Sequence, residues 1–211
     1  MRVPSRRIEA PRAATGGPPG AACYIRPMGP TGASRSIVLV GFMGAGKSTI
    51  GRLLARRLGL CFVETDAMIS AREGKSIPEI FAERGEAYFR SLEGEVLALL
   101  AEKRAHVIAT GGGFPCQPGA MERLRALGTV VWLAADFDAS YERASRVGGR
   151  PMLAGRSREE TAALYRAREP HYRQAHLAIE TTRTSVDAVA NRILRHLRER
   201  KRGGRLSPTV P

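Results

Sequence analysis

This chain of 211 residues has no long apolar run and no metal-binding cysteine pattern. No apolar stretch approaches the ~18 residues that cross a bilayer, and the N-terminus lacks the apolar core of a secretory signal. The three cysteines are an odd number without metal-ligand spacing. We therefore expect a cytoplasmic protein that needs no membrane. The Arg-rich start leaves two alternatives open, an organellar (plastid or mitochondrial) transit peptide and a gene start that lies near Met28.

Acidic residues are scarce beside basic ones, 20 against 34, which gives a formal net charge of +14. The excess is concentrated at the ends, because residues 1–35 carry +5 and residues 192–211 carry +6. Basic tails can bind nucleic acid, but solvated termini of this composition are more common. We expect a disordered basic extension over residues 1–35, one domain over residues 36–200, a disordered tail over residues 201–211, and no requirement for nucleic acid.

Five short apolar runs alternate with stretches of helical spacing. The runs lie at 36–42, 61–65, 106–110, 129–133 and 176–180, and helical patterns lie near 48–58, 79–103, 118–126, 138–146, 158–173 and 185–200. This alternation predicts an α/β fold with a parallel sheet covered on both faces. Two segments depart from it: residues 66–95 form a long, charged helical insertion, and residues 146–158 are rich in Arg, Gly and Pro. The second segment is either a surface loop or a closing lid.

The strongest motif is GFMGAGKS, residues 41–48, which fits the phosphate-loop pattern G-x-x-x-x-G-K-[ST]. Its glycines permit a tight turn whose backbone N–H groups converge on phosphate oxygens. Lys47 can bridge the β- and γ-phosphates, and the Ser48 hydroxyl can ligate Mg²⁺. The motif predicts that Mg·ATP is bound by Gly44, Ala45, Gly46, Lys47, Ser48 and Thr49.

The scarcity of asparagine helps to distinguish a GTPase from other proteins that carry a phosphate loop. GTPase switches carry D-x-x-G and N-K-x-D segments in addition to the phosphate loop. Here the only Asn is Asn191, in the last predicted helix, and no Asp is followed three residues later by Gly. The sequence therefore argues against a GTPase.

Further motifs follow the loop in a fixed order: ETD (64–66), EAYFR (86–90), GGG (111–113), and GRPML (149–153) followed by EPHYR (169–173). With GFMGAGKST (41–49), this set resembles shikimate kinases over about residues 36–197. The resemblance implies a P-loop kinase of nucleoside-monophosphate-kinase type, with a three-layer, doubly wound sheet of five parallel strands in the order 2-3-1-4-5. It also implies ATP-dependent phosphorylation of the 3-hydroxyl of shikimate, in the biosynthesis of chorismate and aromatic amino acids.

The resemblance also implies an acceptor site. Arg90 and Arg173 match the arginines that bind the shikimate carboxylate, for which a planar guanidinium fork is suited. Asp66 matches the acid that binds ring hydroxyls and accepts the proton of the attacking hydroxyl. The expected backbone contacts come from Gly111, Gly112 and Gly113. Taken singly, these residues could be surface arginines, a helix N-cap and a turn.

Two arginines and one lysine match the family's phosphoryl-transfer machinery. Arg150 matches the lid arginine that closes over the γ-phosphoryl group, where it would offset developing charge. Arg143 matches the arginine that stacks on adenine, although a solvated helix arginine is an equal alternative. Lys47 completes the expected catalytic set with Asp66 and Arg150. Residues 66–95 would form the acceptor-binding arm and residues 146–158 the lid.

The chain departs from the family at two places. Glu64 stands where the family has the first Asp of D-x-D, which holds Mg²⁺ through water; Glu keeps the charge but is one methylene longer. The segment FPCQPG, residues 114–119, replaces a stretch of small residues after GGG and could reshape the acceptor pocket.

Two other functions stay open at this stage. Another small-molecule kinase, for gluconate or a nucleoside monophosphate, would share the loop and the lid. A degenerate P-loop protein could bind nucleic acid through its basic ends, although intact Lys47, Ser48, Asp66 and Arg150 argue against it. We expect a monomer whose partners are ATP and shikimate.

Overall fold

The computed structural model describes residues 35–102, 105–146 and 156–202. Within these ranges a parallel five-stranded sheet has the order β2-β3-β1-β4-β5. This confirms the predicted fold class and strand order. The strands are β1 (Ser36–Val40), β2 (Cys61–Glu64), β3 (His106–Ala109), β4 (Gly128–Ala134) and β5 (Leu177–Glu180).

Helices connect the strands at the positions that the periodicity predicts, within a few residues. They are α1 (Lys47–Leu58), α2 (Thr65–Glu73), α3 (Ile77–Ala101), α4 (Ala120–Leu127), α5 (Phe137–Arg146), α6 (Arg158–Tyr172) and α7 (Val186–Arg202), with a short 3₁₀ helix at Phe114–Cys116. The predictions for residues 1–34 and 203–211, and for the lid over residues 147–155, lie outside the described residues.

The insertion over residues 66–95 is helical, as expected, and is divided between α2 and α3. Gly74 ends α2 in the left-handed conformation, and Ser76 begins α3 with a capping box in which Ser76 and Glu79 satisfy each other's backbone N–H groups. Gly85 has φ 75° and interrupts the regular geometry of α3. Buried side chains of the arm lie on both sides of this interruption, with Ile80 before it and Phe89, Leu92 and Glu93 after it.

The strands are mostly apolar because both faces of the sheet are covered, and their polar residues lie at or near the strand ends. In β1, Val38 and Val40 pack into one core with α3, α4 and Tyr172, whereas Ile37 and Leu39 pack into the other with α1 and α7. This alternation follows from the two-residue period of a strand. It makes three layers, helix–sheet–helix, in which β1 is the most enclosed strand.

The carboxyl ends of β1, β2 and β3 are adjacent in the sheet. Parallel strands direct their carboxyl ends to the same edge, which is where open α/β sheets bind ligands. The chain leaves β1 into the phosphate loop, β2 into Asp66 and β3 into the glycine triplet at residues 111–113. The fold thus brings three separate motifs together.

None of the helices in the described ranges has both the length and the apolar content that crossing a bilayer requires.

Gly128 lets β4 pack closely against β1, because a Cβ built there would overlap the carbonyl oxygen of Ser36. We expect Gly128→Ala to lower the free energy of unfolding by about 1–3 kcal/mol, since the strand pair would have to separate locally. Gly94→Ala is the matched control: it lies within α3, the nearest atom to its new Cβ would be 3.7 Å away, and a gain of up to about 1 kcal/mol is expected. Urea unfolding of both variants checks this, and equal stabilities would contradict it.

Candidate active site

The loop between β1 and α1 depends on glycines that let its backbone adopt positive φ and pack closely against β4 and α5. Gly41, Gly44 and Gly46 all have positive φ, at 140°, 79° and 93°. A Cβ at Gly44 would overlap the carbonyl oxygen of Ser140 on α5, and one at Gly41 would lie 2.7 Å from the carbonyl oxygen of Leu133. Gly46 is the N-cap of α1 and supplies no side-chain cap. The first N–H groups of α1 are therefore available to an anion.

Lys47 is the first residue of α1 and folds back across the loop. Its Nζ donates to the carbonyl oxygens of Gly41, at 2.7 Å, and Phe42, at 3.0 Å. The ammonium group is therefore held against the backbone of the predicted phosphate loop, as expected of a lysine that contacts β- and γ-phosphates.

Glu64, the last residue of β2, contacts Ser48, which follows Lys47 on α1. Ser48 Oγ donates to Glu64 Oε1 at 2.5 Å, and Arg52 Nη2 lies 3.6 Å from Glu64 Oε2. A hydroxyl and a carboxylate side by side are the hard oxygen donors that Mg²⁺ prefers. In the described part of the chain no group of three His, Cys, Asp or Glu residues could hold a metal alone. A cation here would also need phosphate oxygens.

Asp66 follows two residues after Glu64, at the start of α2. Burial raises the pKa of the Asp66 carboxyl above its ordinary value; the Lys47 ammonium opposes this shift, and Glu64 adds to it. A raised pKa makes the carboxylate a better proton acceptor near neutral pH. Asp66 interacts with Lys47 of the phosphate loop, and its Oδ1 would lie 2.6 Å from a Cβ built at Gly111. It therefore lies between the phosphate loop and the residues that follow β3.

The glycine triplet after β3 is surrounded by charged side chains. A Cβ at Gly111 would lie 2.6 Å from Asp66 Oδ1 and 2.9 Å from Glu93 Oε1. A Cβ at Gly113 would lie 2.8 Å from Arg90 Nη2 and 3.2 Å from Arg168 Nη2. The absence of side chains at these positions lets two carboxylates and two guanidinium groups converge on one short stretch of backbone.

Arg90 lies on α3 and is oriented by two carboxylates of the same helix. Its Nη1 donates to Glu93 Oε2 at 2.7 Å, and its Nη2 donates to Glu86 Oε1 at 2.7 Å. Glu93 is 1% exposed. Burial raises the pKa of Glu93 to about 7, although the hydrogen bond and charge of Arg90 oppose this shift. The structure thus places Arg90 at the glycine triplet, and its contact with the acceptor carboxylate stays a prediction.

Arg173 is not at the glycine triplet. Its side chain is 49% exposed, pairs with Glu169 one turn earlier, and lies 5.7 Å from the Trp132 ring. Arg168 lies there instead: it is 8% exposed and its guanidinium is next to Gly112 and Gly113. The five-residue separation rotates Arg173 by about 140° around α6, so only one of the two arginines can face inward.

Helical spacing could have identified Arg168 from the sequence. Its stripe on α6 runs through Thr161 and Tyr172, both buried, at intervals of seven and four residues. The Tyr172 hydroxyl donates to the carbonyl oxygen of Gly112 at 2.6 Å, and burial raises the pKa of this phenol. Glu93 gave no comparable signal, because an acid three residues after Arg90 is typical of a solvated helix pair.

Arg143 lies on α5 and holds the loop after β5. Its Nη2 donates to the carbonyl oxygens of Thr181, at 3.1 Å, and Thr182, at 2.7 Å. The Thr181 hydroxyl donates to the carbonyl oxygen of Ala45 at 3.4 Å. Arg143 is thereby connected to the flank of the phosphate loop, and its contact with adenine stays a prediction. Thr49 is exposed on α1, and Arg150 lies outside the described residues.

The sheet has five parallel strands in this order, a phosphate loop after β1, and a glycine triplet surrounded by charged side chains after β3. These features define a P-loop kinase. Residues 43–198 match the family model described as shikimate kinase. The shikimate kinase of Moorella thermoacetica is 46% identical over 75% of this chain and 91% of its own length. That of Persephonella marina is 40% identical over 78% of this chain and 99% of its own length.

A solved structure, the shikimate kinase of Acinetobacter baumannii in complex with shikimate, is 39% identical. The structural alignment covers 80% of this chain and 95% of the Acinetobacter baumannii chain, with a TM-score of 0.75. The chain belongs to the shikimate kinase family.

The Tyr172 hydroxyl fixes the glycine triplet by its bond to the carbonyl of Gly112. We expect Tyr172→Phe to lower the free energy of unfolding by about 1–2 kcal/mol, because a buried carbonyl loses its donor, and to weaken acceptor binding. Tyr165→Phe is the control, since it loses an equivalent 2.9 Å bond to the carbonyl of Ala135. It should lose similar stability and keep the acceptor KM. Equal acceptor KM values for both variants would show that the bond does not position the triplet.

Proposed function

We propose that this chain transfers the γ-phosphoryl group of ATP to the 3-hydroxyl of shikimate, giving shikimate 3-phosphate and ADP. The reaction belongs to the biosynthesis of chorismate and aromatic amino acids. One observation carries the proposal: Arg90, Arg168 and Asp66 converge on the glycine triplet beside the phosphate loop. Two guanidinium groups and a carboxylate fit an acceptor that has one carboxylate and several hydroxyl groups.

The two arginines bind the acceptor carboxylate. Both guanidinium groups lie at Gly113, and each can offer two parallel N–H donors to a carboxylate. Arg90 is already held by Glu93 and Glu86, so little side-chain entropy is lost on binding. We assign to Arg168 the carboxylate-binding role that the resemblance gave to Arg173, because Arg168 is the buried member of the pair.

Asp66 orients a ring hydroxyl and accepts its proton. The hydroxyl oxygen attacks the γ-phosphorus as the bond between this phosphorus and the β,γ-bridging oxygen breaks, and the proton passes to the Asp66 carboxylate. The raised pKa of Asp66 favours this transfer. Gly111, Gly112 and Gly113 bring backbone to the substrate without an intervening side chain.

The phosphate side is formed by residues 44–49. The loop N–H groups and Lys47 bind the phosphates, and Arg143 flanks the adenine. We propose Mg²⁺ as the cation, with Ser48 and Glu64 as the residues that would hold it and with charge neutralisation on the phosphates as its contribution. Arg150 would act from the lid, over residues 146–158, on the charge of the transferring phosphoryl group.

All the described acceptor and phosphate groups come from one chain, so we propose that a monomer suffices for catalysis. We also propose a cytoplasmic location and an acceptor-binding arm over residues 66–95. The proposal needs no nucleic acid.

An acceptor panel tests the function directly. With Mg·ATP, we expect ADP release with shikimate and none above background with gluconate or nucleoside monophosphates, and ³¹P NMR should locate the phosphate on the 3-oxygen. Lys47→Ala is the control for a contaminating kinase, because it removes the ammonium group held in the loop. Turnover of gluconate or a nucleotide without turnover of shikimate would overturn the assignment.

The choice between Arg168, on α6, and Arg173, the C-cap of α6, gives a second test. Arg168→Ala should raise the shikimate KM by about 30-fold or more, since losing one partner of a desolvated carboxylate costs about 2–5 kcal/mol. The KM of ATP should stay within about twofold, and Arg168→Lys should rescue poorly because a point charge lacks the fork. Arg173→Ala is the matched control and should change the shikimate KM little. A large effect of Arg173→Ala with a silent Arg168→Ala would restore the original assignment.

A further inference from the structure

The segment FPCQPG after the glycine triplet has a definite structure in this chain. Residues Phe114–Cys116 form a 3₁₀ helix in which Phe114 and Pro115 are buried. Gln117 caps this helix: its backbone N–H donates to the carbonyl of Phe114 at 3.0 Å, and its own carbonyl accepts from the N–H of Ala120 at 3.1 Å. The backbone of Gln117 is therefore fixed on both sides, by the 3₁₀ helix and by α4.

The Gln117 side chain is directed at Glu93, 24 residues earlier in the chain. Its Nε2 donates to Glu93 Oε2 at 2.8 Å. The same oxygen accepts the 2.7 Å bond from Arg90 Nη1. Gln117, Glu93 and Arg90 thus form a continuous hydrogen-bonded chain that runs from the 3₁₀ helix to the glycine triplet.

We propose that Gln117 is a positioning residue of the acceptor site: its amide holds Glu93 in the orientation that fixes Arg90 beside Gly113. The proposal rests on the proposed function, in which Arg90 binds the acceptor carboxylate. Gln117 itself need not touch the substrate, because it acts through Glu93.

Glu93 needs such a donor because its carboxylate is almost entirely desolvated. The side chain is 1% exposed, and within the described residues Oε1 has no hydrogen-bond partner. A buried carboxylate with few donors takes up a proton more readily, and a protonated Glu93 would lose its ion pair with Arg90. The amide of Gln117 stabilises the ionised form of Glu93. Because the amide is neutral, it does not draw the acceptor carboxylate away from Arg90 towards position 117.

Glu86 cannot replace Glu93 as the partner that orients Arg90. It accepts from Nε and Nη2 of Arg90, but its own side chain is 65% exposed. A guanidinium held by Glu86 alone would follow a solvated, mobile partner, and surface pairs of this kind contribute about 0–1 kcal/mol. The inner contact with Glu93 is therefore the one that determines where Arg90 stands.

Other charges act on Glu93 from the elements packed around it. Asp66 on α2 raises the pKa of Glu93 further, whereas Arg90 on its own helix and the amide of Gln117 lower it. Cys116 lies within electrostatic reach of Glu93, Arg168 and Arg90, and burial raises the pKa of its thiol, so near neutral pH it adds no charge. The balance leaves Glu93 with a pKa of about 7, a range in which loss of one donor changes its protonation.

Gln117→Leu tests the proposal, since it removes the donor and keeps most of the volume. With full-length protein and Mg·ATP, we expect the shikimate KM to rise roughly ten-fold or more, in keeping with the loss of one hydrogen bond to a charged group. The kcat and the ATP KM should stay within about twofold. Gln174→Leu is the matched control, because it makes the same change at an exposed position after α6, and it should leave all three constants unchanged.

The pH dependence separates positioning from general packing. In the unmodified protein, kcat/KM for shikimate should fall as the pH drops through about 7, when Glu93 gains a proton and releases Arg90. In Gln117→Leu this fall should begin at higher pH, because the carboxylate has lost a donor. Glu93→Gln cannot ionise, so it should show a raised shikimate KM and no such fall. Gln117→Glu should be more impaired than Gln117→Leu, because it places a second carboxylate against Glu93.

The outcomes distinguish this inference from the proposed function. If the unmodified protein does not phosphorylate shikimate, the proposed function fails. If it does, and Gln117→Leu matches Gln174→Leu in shikimate KM and pH profile, the positioning role is wrong. An equal rise of the ATP and shikimate KM values would make Gln117 structural only. A lower shikimate KM in Glu93→Gln would also overturn the inference, because Glu93 would then compete with the acceptor for Arg90.

Discussion

Burial of charge at the end of β3 is the constraint on which the rest of this structure depends. Glu93 and Arg168 are removed from water almost completely, and a desolvated charge is tolerated only when it is paired or hydrogen-bonded. Glu93 on α3 is paired with Arg90 and hydrogen-bonded to Gln117, which follows the 3₁₀ helix, whereas Arg168 on α6 reaches the same strand end beside Tyr172. The three glycines make this possible, because any side chain at Gly111 or Gly113 would occupy the space that the charged groups use. The acceptor site is thus formed by residues from several helices and from the segment after β3, and not by one loop alone.

The fold was predictable because its signals are local. Each strand is a short, mostly apolar run, and Gly41 to Ser48 carries the loop chemistry in eight consecutive residues, so strand order and phosphate site followed from pattern and resemblance. The acceptor site was less accessible, since it depends on which face of a helix a residue occupies. Arg168 and Arg173 are of the same type, at the two ends of a six-residue stretch that contains the EPHYR motif, and only the inward stripe of α6 separates them. Gln117 could not be assigned from the sequence, because its partner is 24 residues away.

Glu64, which stands where the family has Asp, keeps a carboxylate in contact with the Ser48 hydroxyl through a longer side chain. An aspartate at the end of β2 would end one methylene short of Glu64. In this chain the longer side chain places Oε1 against the Ser48 hydroxyl and also meets Arg52. The negative charge therefore stays beside the first turn of α1, where it faces both the helix N-terminus and the predicted cation. The substitution is consistent with a kinase that keeps its phosphate chemistry.

The charge balance explains why two arginines are needed at the glycine triplet. Asp66 and Glu93 already supply negative charge there, and an acceptor carboxylate would add more. One guanidinium engaged by Glu93 and Glu86 would have little net attraction left for a third carboxylate, because it is already compensated. Arg168 is not held by an ion pair of this kind among the described residues, and its closest charged neighbour at Gly113 is Arg90. Arg168 therefore supplies the uncompensated positive charge, whereas Arg90 supplies a rigid, pre-oriented fork. Attraction and orientation are divided between two side chains, and neither could provide both in a site this deeply buried.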